Sequence, residues 1–439
     1  MSPRKVHLLL LLVGSAPVIW AQAPRKLSPK DLPSSAFKLV AINVTGTRRY
    51  TPAEIIDASG LKVGERATDA DFKVAAQHLG DTGAFSNVAY SFQYANTGTR
   101  LDLQLTDNDQ LVPARFENFV WFSDQELMDK LHARVPLFQG SLPLSGNLAD
   151  QVSEALQALL IEHDISGRAD YLRAGNQDGG PIQAFQFSVT GISIRIRNCS
   201  FPGASANEQP LLEAAARQLQ NSDYSRTVLQ IQEDKNFLPV YLARGYLKAK
   251  FGAARAKVAE TSPQSTLVDL DIPVDRGPQY RLDSIELSGN KVLTADQVHK
   301  ALHLQVGQPV DAVQLGNDLG AIKKLFGTKG YMAASVEAEP AFDDAQSTVK
   351  YQLRIAENDV YKMGDLDIQG LDKKTTQKLF DSWKILGGAT YDSSYPEKFL
   401  HDSADQVIEV ARWKVGIYQS LNSHDKTVDV TLRFDPREP

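Results

Sequence analysis

The sequence predicts an α+β protein: a tandem array of small β-α-α-β-β units, each a three-stranded mixed sheet covered by two helices. Three observations predict it. Apolar strand openings at Ile42, Ala114, Ile194, Ile285 and Leu366 recur roughly every 80 residues, a domain-sized period longer than that of solenoid repeats. Within each period the apolar spacing passes from every second residue to every third and fourth, and back again. A break separates the two helical stretches, marked by glycine at Gly64, Gly140, Gly307 and Gly388.

The unit beginning near Tyr280 is the most explicit. Ile285 and Leu287 alternate with polar residues up to Gly289, which ends a strand. Thr294 caps a short helix carrying Val298, Ala301 and Leu302. Gly307-Gln308-Pro309 interrupts it. Val313, Leu315, Leu319, Ile322, Leu325 and Phe326 then lie on one face of a second helix, which Gly330-Tyr331 stops. A strand over residues 335–338 turns at Asp343-Asp344 into a last strand with Val349, Tyr351, Leu353 and Ile355 on one face.

The first unit repeats this order. Ile42, Val44 and Gly46 open it, and Thr51-Pro52-Ala53-Glu54 starts a helix as N-cap, N1 proline and capping-box acid. Its second helix spans 72–79 and stops at Gly83-Ala84-Phe85; its hairpin turns at Asn96-Thr97-Gly98. The fifth unit opens at Leu366, Ile368 and Gly370 and closes with Val428, Val430, Leu432 and Phe434. There Trp413-Lys414-Val415-Gly416 stands where the stop after the second helix is expected. The second unit opens with Ala114, Phe116 and Asn118 and the third with Ile194, Ile196 and Asn198; both are placed largely by their neighbours. The expected boundaries are 36–110, 111–190, 191–277, 278–358 and 359–439.

Ahead of the array, Arg4 and Lys5, an apolar run over 8–13 and Ala21-Gln22-Ala23 read as a cleavable signal peptide, residues 1–23. The run is short of the ~20 residues that span a bilayer. Residues 24–35, with three prolines and three serines, read as a flexible leader. Export is therefore expected, to the periplasm or the periplasmic face of the outer membrane. The single cysteine, Cys199, permits no internal disulfide and is either a small buried hydrophobe or a reactive thiol.

Composition narrows the function classes. The 439 residues are 42% hydrophobic and 23% charged, as in a folded protein, with a net charge of -6. Lysines and arginines are scattered and form no basic stripe, which argues against nucleic-acid binding. No nucleophile elbow, phosphate loop or dinucleotide fingerprint occurs. His299 and His303 have two-ligand metal spacing on one helix, but only Asp296 stands near as a third. The pairs Asp269/Asp271 and Asp365/Asp367 fall on the polar side of strands. Trp121, Trp383 and Trp413 fall in separate units, as core or packing residues would. No catalytic, cofactor or metal residues are assigned, and no enzyme is expected.

The strand ending in glycine, the Gly-x-Pro break and the Gly-Tyr stop together resemble POTRA domains. Asp275-Arg276-Gly277 and Glu357-Asn358 approach the acid-Gly pair that follows the closing strand in that family. Five units in a row resemble the periplasmic region of BamA-type outer-membrane protein assembly factors, over about residues 36–437. The repeats use the sequence to its end, so the β-barrel that follows in that family is not expected here. The resemblance implies that the first strand of each hairpin is an open sheet edge, able to bind an added strand through main-chain hydrogen bonds.

The candidate edges are residues 89–94, with Ala89, Tyr90, Phe92 and Tyr94; 248–255, with Ala249, Phe251, Ala253 and Arg255; and 335–339, with Ser335, Val336 and Glu337. The lysines around the second, Lys248, Lys250 and Lys257, also fit protection of an edge from aggregation. The expected partners are unfolded or partly folded outer-membrane proteins, or a separately encoded β-barrel or envelope complex, and peripheral membrane association is compatible with either. The alternative is a structural protein docking one fixed partner.

Overall fold

A computed structural model describes residues 33–175, 180–402 and 404–437. The expected signal peptide and most of the expected leader lie outside the described residues. The described residues form two compact units: those up to 116 with those of 122–190, and 117–121 with those from 191 onward.

The first unit opens with β1 (Leu39–Thr45), α1 (Pro52–Ser59), α2 (Asp69–Asp81), β2 (Phe85–Ala95) and β3 (Gly98–Asp107). The sheet order is β1-β3-β2, with β1 parallel and β2 antiparallel to the central β3. α1 starts where its capping box dictates. Thr51 accepts from the Glu54 N–H, and the Glu54 carboxylate accepts from the Thr51 N–H at 2.6 Å. Then follow β4 (Leu111–Phe116), α3 (Asp124–Arg134), β5 (Ser141–Pro143), α4 (Leu148–Glu162), β6 (Arg168–Gly175) and β7 (Ile182–Thr190). Their order, β5-β4-β7-β6, makes four strands where three were expected.

The second unit contains β8 (Ser193–Ser200), α5 (Gln209–Ala216), α6 (Arg226–Gln232), a π-helical turn at Glu233–Phe237, α7 (Leu238–Leu242), β9 (Lys250–Phe251), β10 (Arg255–Ser262), β11 (Ser265–Asp271) and β12 (Val274–Asp275). Next come β13 (Arg281–Ser288), α8 (Ala295–Lys300), α9 (Ala312–Gly327), β14 (Ser335–Asp343) and β15 (Thr348–Ala356). The last are β16 (Lys362–Gln369), α10 (Lys373–Ser382), α11 (Tyr395–Asp402), β17 (Trp413–Asn422) and β18 (Thr427–Pro436). The sheets β10-β11-β8, β13-β15-β14 and β16-β18-β17 each repeat the arrangement of the first.

Each core lies between one sheet face and its helices. In the β13–β15 sheet, Val349 and Leu353 meet Ile322 and Phe326 of α9, all fully buried. Each such side chain contributes about 1.5–3 kcal/mol. The outer positions Val313 and Leu325, expected on the buried face of α9, are more than a third exposed.

The break between the helices is a structural clasp. Leu282 N–H donates to the Gln308 carbonyl, Gly307 N–H to the Leu282 carbonyl, and Val310 N–H to the Tyr280 carbonyl. The same three bonds hold Leu39 to the 64–67 segment, with Phe37 in the third; Met363 to 388–391; and Ile196 to 221–224. Around β4 the clasp lengthens into β5, which supplies the fourth strand. In each three- or four-stranded sheet, therefore, the outer side of the first strand is paired at its start.

The glycine closing the first strand answers to a close approach. Gly289 has φ 86°, and a Cβ there would stand 2.0 Å from the Ile355 carbonyl oxygen. Gly46 and Gly370 are placed alike. In the third sheet this role falls to Gly203, since Asn198 lies inside β8. The acid of the closing signature completes the same turn. Glu357 accepts from the Lys291 and Val292 N–H groups, and Asp107 accepts from Arg48, Arg49 and the Thr47 hydroxyl. Burial alone would raise the Asp107 pKa, but these bonds outweigh it and hold it low. Asn358 takes the left-handed conformation, φ 59°, which glycine and asparagine adopt most readily.

The Gly-Tyr stop is also a junction. Gly245 accepts from the Tyr280 N–H at 2.7 Å and Gly330 from the Tyr361 N–H at 2.8 Å, so each helix end receives the start of the next sheet.

Candidate functional site: the open hairpin edges

With the last strand central and the start of the first strand clasped, the boundary left open along its whole length in each three- or four-stranded sheet is the first strand of its hairpin: β2, β6, β10, β14 and β17. Among the described residues, no strand pairs with their outer sides. Such an edge presents unpaired N–H and C=O groups to another chain.

The first expected edge lies within β2. Tyr90, Phe92 and Tyr94 face the helices and are half-buried, while Ala89 faces outward and is exposed. The aromatic rings form a row: Phe37–Tyr94 at 5.2 Å, Tyr94–Phe92 at 5.1 Å and Phe92–Phe72 at 5.2 Å. Tyr90 donates to Asp69 of α2 at 3.1 Å, fixing strand to helix.

The third expected edge lies within β14. Ser335, Val336 and Glu337 pair with Ala356, Ile355 and Arg354. The strand continues five residues beyond the expected Ala338, through Pro340, to Asp343. Proline is tolerated there because an edge strand need not donate on its outer side.

The second expected edge is displaced. Ala249 and Ala253 lie outside any strand, and Phe251 pairs with Val274 in the short β9–β12 ladder. Phe251 also packs against Phe237 and Tyr241. Only Arg255 belongs to the edge strand, as the first residue of β10. The alternation over 249–255 is genuine in sequence, but Phe251 is held in a two-residue ladder against a helix end and not on the edge of the β10-β11-β8 sheet.

The fifth edge was missed. Trp413-Lys414-Val415-Gly416, expected as a helix stop, begins the ten-residue strand β17. Its interior Gly416 hides the strand pattern. Tyr418 covers that gap, with ring atoms 2.8–3.1 Å from where a Gly416 Cβ would stand.

The remaining candidates are occupied structurally. Asp269 is gripped by Arg197, with Nε at 2.9 Å, and Asp271 by Lys257 and Ser200, at 2.5 and 2.6 Å; these partners hold both carboxylates low. α8 ends at Lys300, so His303 lies beyond the helix of His299, and its ring meets buried Asp318 at 2.7 Å. Trp383 packs against Tyr395 and Phe399, and Trp413 against Phe434. Cys199 is half-buried, and burial, with Asp269 nearby, pushes its thiol up to about 11. Among the described residues no cluster of three metal-ligating side chains occurs, and no helix is long and apolar enough to cross a membrane.

Residues 280–358 match the POTRA family, described as a surface antigen variable number repeat. A Treponema pallidum protein provisionally named an outer membrane protein assembly factor is 22% identical over 228 residues. That alignment covers 50% of this chain and 27% of the relative, so the chain spans about a quarter of that relative's length. The Haemophilus influenzae BamA POTRA3-5 structure aligns over 56% of this chain and 96% of its own, at 19% identity and TM-score 0.45. The N-terminal domain of Omp85 from Thermosynechococcus elongatus aligns over 56% and 98%, at 18% identity and TM-score 0.23. Residues 280–358 are thus a POTRA domain, and the chain, with its several small mixed sheets, resembles the tandem POTRA region of BamA-type outer-membrane assembly factors.

Proposed function

We propose that this protein is a non-enzymatic periplasmic module of outer-membrane protein assembly or export, binding substrate polypeptides or barrel partners by strand addition. One observation carries the reading: each three- or four-stranded sheet leaves its hairpin edge unpaired along its whole length among the described residues, while a clasp covers the start of its first strand. Strand addition draws affinity from main-chain hydrogen bonds and so accepts many sequences. Linked edges raise effective concentration, so weak single sites can hold a long client. The POTRA match and the spirochaete relative's name support the same setting. Arg4, Lys5 and Ala21-Gln22-Ala23 support export.

A photoreactive residue at Ser91 or Gln93, both exposed on β2, tests this in cells. Capture of several outer-membrane protein precursors is the expected result. Capture of one stoichiometric partner and no precursor would instead establish the docking of a fixed partner.

A further inference from the structure

The five open edges are chemically unequal. β2 carries no charged residue and no proline over its eleven residues. β17 carries one charge, Lys414, near its start, and none from Val415 to its end at Asn422. Both place apolar side chains on one row: Val88, Tyr90, Phe92 and Tyr94 in β2; Val415 and Ile417, then Gln419 and the exposed Leu421, in β17. On the other row β2 carries Asn87, Ala89, Ser91, Gln93 and Ala95, and β17, after Lys414, carries Gly416, Tyr418, Ser420 and Asn422.

The other edges differ. β14 carries Glu337, Glu339 and Asp343 with Pro340 among them. Pro340 has no N–H to offer an added strand. Glu339 is tied to Arg354 at 2.8 Å. β10 carries Arg255, Lys257 and Glu260, with Lys257 bound to Asp271 at 2.5 Å and Glu260 to Arg197 at 3.2 Å. β6 carries Arg168, Asp170 and Arg173. An uncharged strand laid along these edges would strip water from charges without replacing it. Charged residues and proline are the usual means of closing an edge.

We propose, resting on strand addition as the mode of binding, that this chain accepts a client at two edges only, β2 and β17. The occupant is an extended, uncharged polypeptide segment in which bulky apolar residues alternate with small polar ones. Its apolar row continues the Tyr90–Phe92–Tyr94 row of β2 or the Val415–Ile417 row of β17. Ten residues of such a segment reach about 33 Å, the length of either edge.

The test is fluorescence anisotropy with a labelled ten-residue peptide alternating valine or tyrosine with serine or threonine, titrated into the chain from residue 24. Tyr94→Pro and Gln419→Pro remove an outward-pointing N–H from β2 and β17. Ser91→Lys and Ser420→Lys place a charge on the exposed row of each strand and leave the ladder intact, which guards against misfolding. Two peptides should bind the parent and one each single variant, with binding to the double lysine variant weakened at least about tenfold. Replacing Pro340 with Thr together with Glu337→Gln and Glu339→Gln should open β14 to a third peptide. Undiminished binding by the double variants overturns the choice of edges. No binding by the parent overturns strand addition itself.

Discussion

Replacing Gly289 with alanine probes the joint between first and last strands, where the fold has least room. Two costs add. An L residue at φ 86° costs about 1–2 kcal/mol. The new Cβ would also stand 2.0 Å from the Ile355 oxygen, with backbone carbon at 3.1 Å, so β13 and β15 must part at about 1–3 kcal/mol. Gly307→Ala is the control. Gly307 has φ 82° but nothing within 4 Å of its Cβ position, so only the first cost applies. Amide exchange in the full chain, read on peptides covering 348–356, measures both. Gly289→Ala should lower protection there by about 2–5 kcal/mol and Gly307→Ala by about 1–2. Gly46→Ala and Gly370→Ala should act on β3 and β18 as Gly289→Ala does on β15. Equal effects of Gly289→Ala and Gly307→Ala would refute the steric reasoning.

Further outcomes concern titrating and reactive groups. Asp107 has a depressed folded pKa, so its contribution is complete above the unfolded value near 4 and disappears as pH falls through the folded value; Asp107→Asn should cost about 1–2 kcal/mol at neutral pH and blunt that acid loss, seen as exchange in β3. Glu233, buried in the π-helical turn, is raised from 4.5 to about 7, first by burial and then by Asp234. The native state then keeps a proton that the unfolded chain releases, so stability falls as pH rises from about 4.5 to 7 and levels off above. Glu233→Gln should flatten that slope and stabilise the β8–β12 region by about 2–3 kcal/mol at pH 7.5, measured by exchange against pH. Cys199, with its thiol near 11, should resist iodoacetamide at pH 7.5 in the native protein and react fully in urea.

What the sequence disclosed follows from where the information lies. Val349, Tyr351, Leu353 and Ile355 could be read as one face because side chains record burial. Thr51 and Glu54 could be read as a cap because their side chains make the bonds. The clasps are bonds between backbone groups, so only the glycine or asparagine of each turn betrays them; Asn221, φ 63°, replaces glycine in the third and made that break hard to see. Pro340 reads as a breaker and ends the expected strand at Ala338, yet an edge tolerates it and β14 runs on. Gly416, three residues after Trp413, reads like a Gly-aromatic helix stop, yet both lie in β17. The expected residues coincide with edge strands only where strand and hairpin turn are both explicit in the sequence, at β2 and β14. At 248–255, local alternation pointed to a strand, whereas tertiary pairing of Phe251 with Val274 decided the outcome.

The central claim is that an open strand edge receives another strand. It is tested most directly by residue-resolved amide exchange of β2, with and without saturating client peptide. Strand addition predicts that every second amide between Asn87 and Tyr94 slows, because only alternate N–H groups point outward. Protection confined to α2, or spread evenly without that alternation, would contradict it.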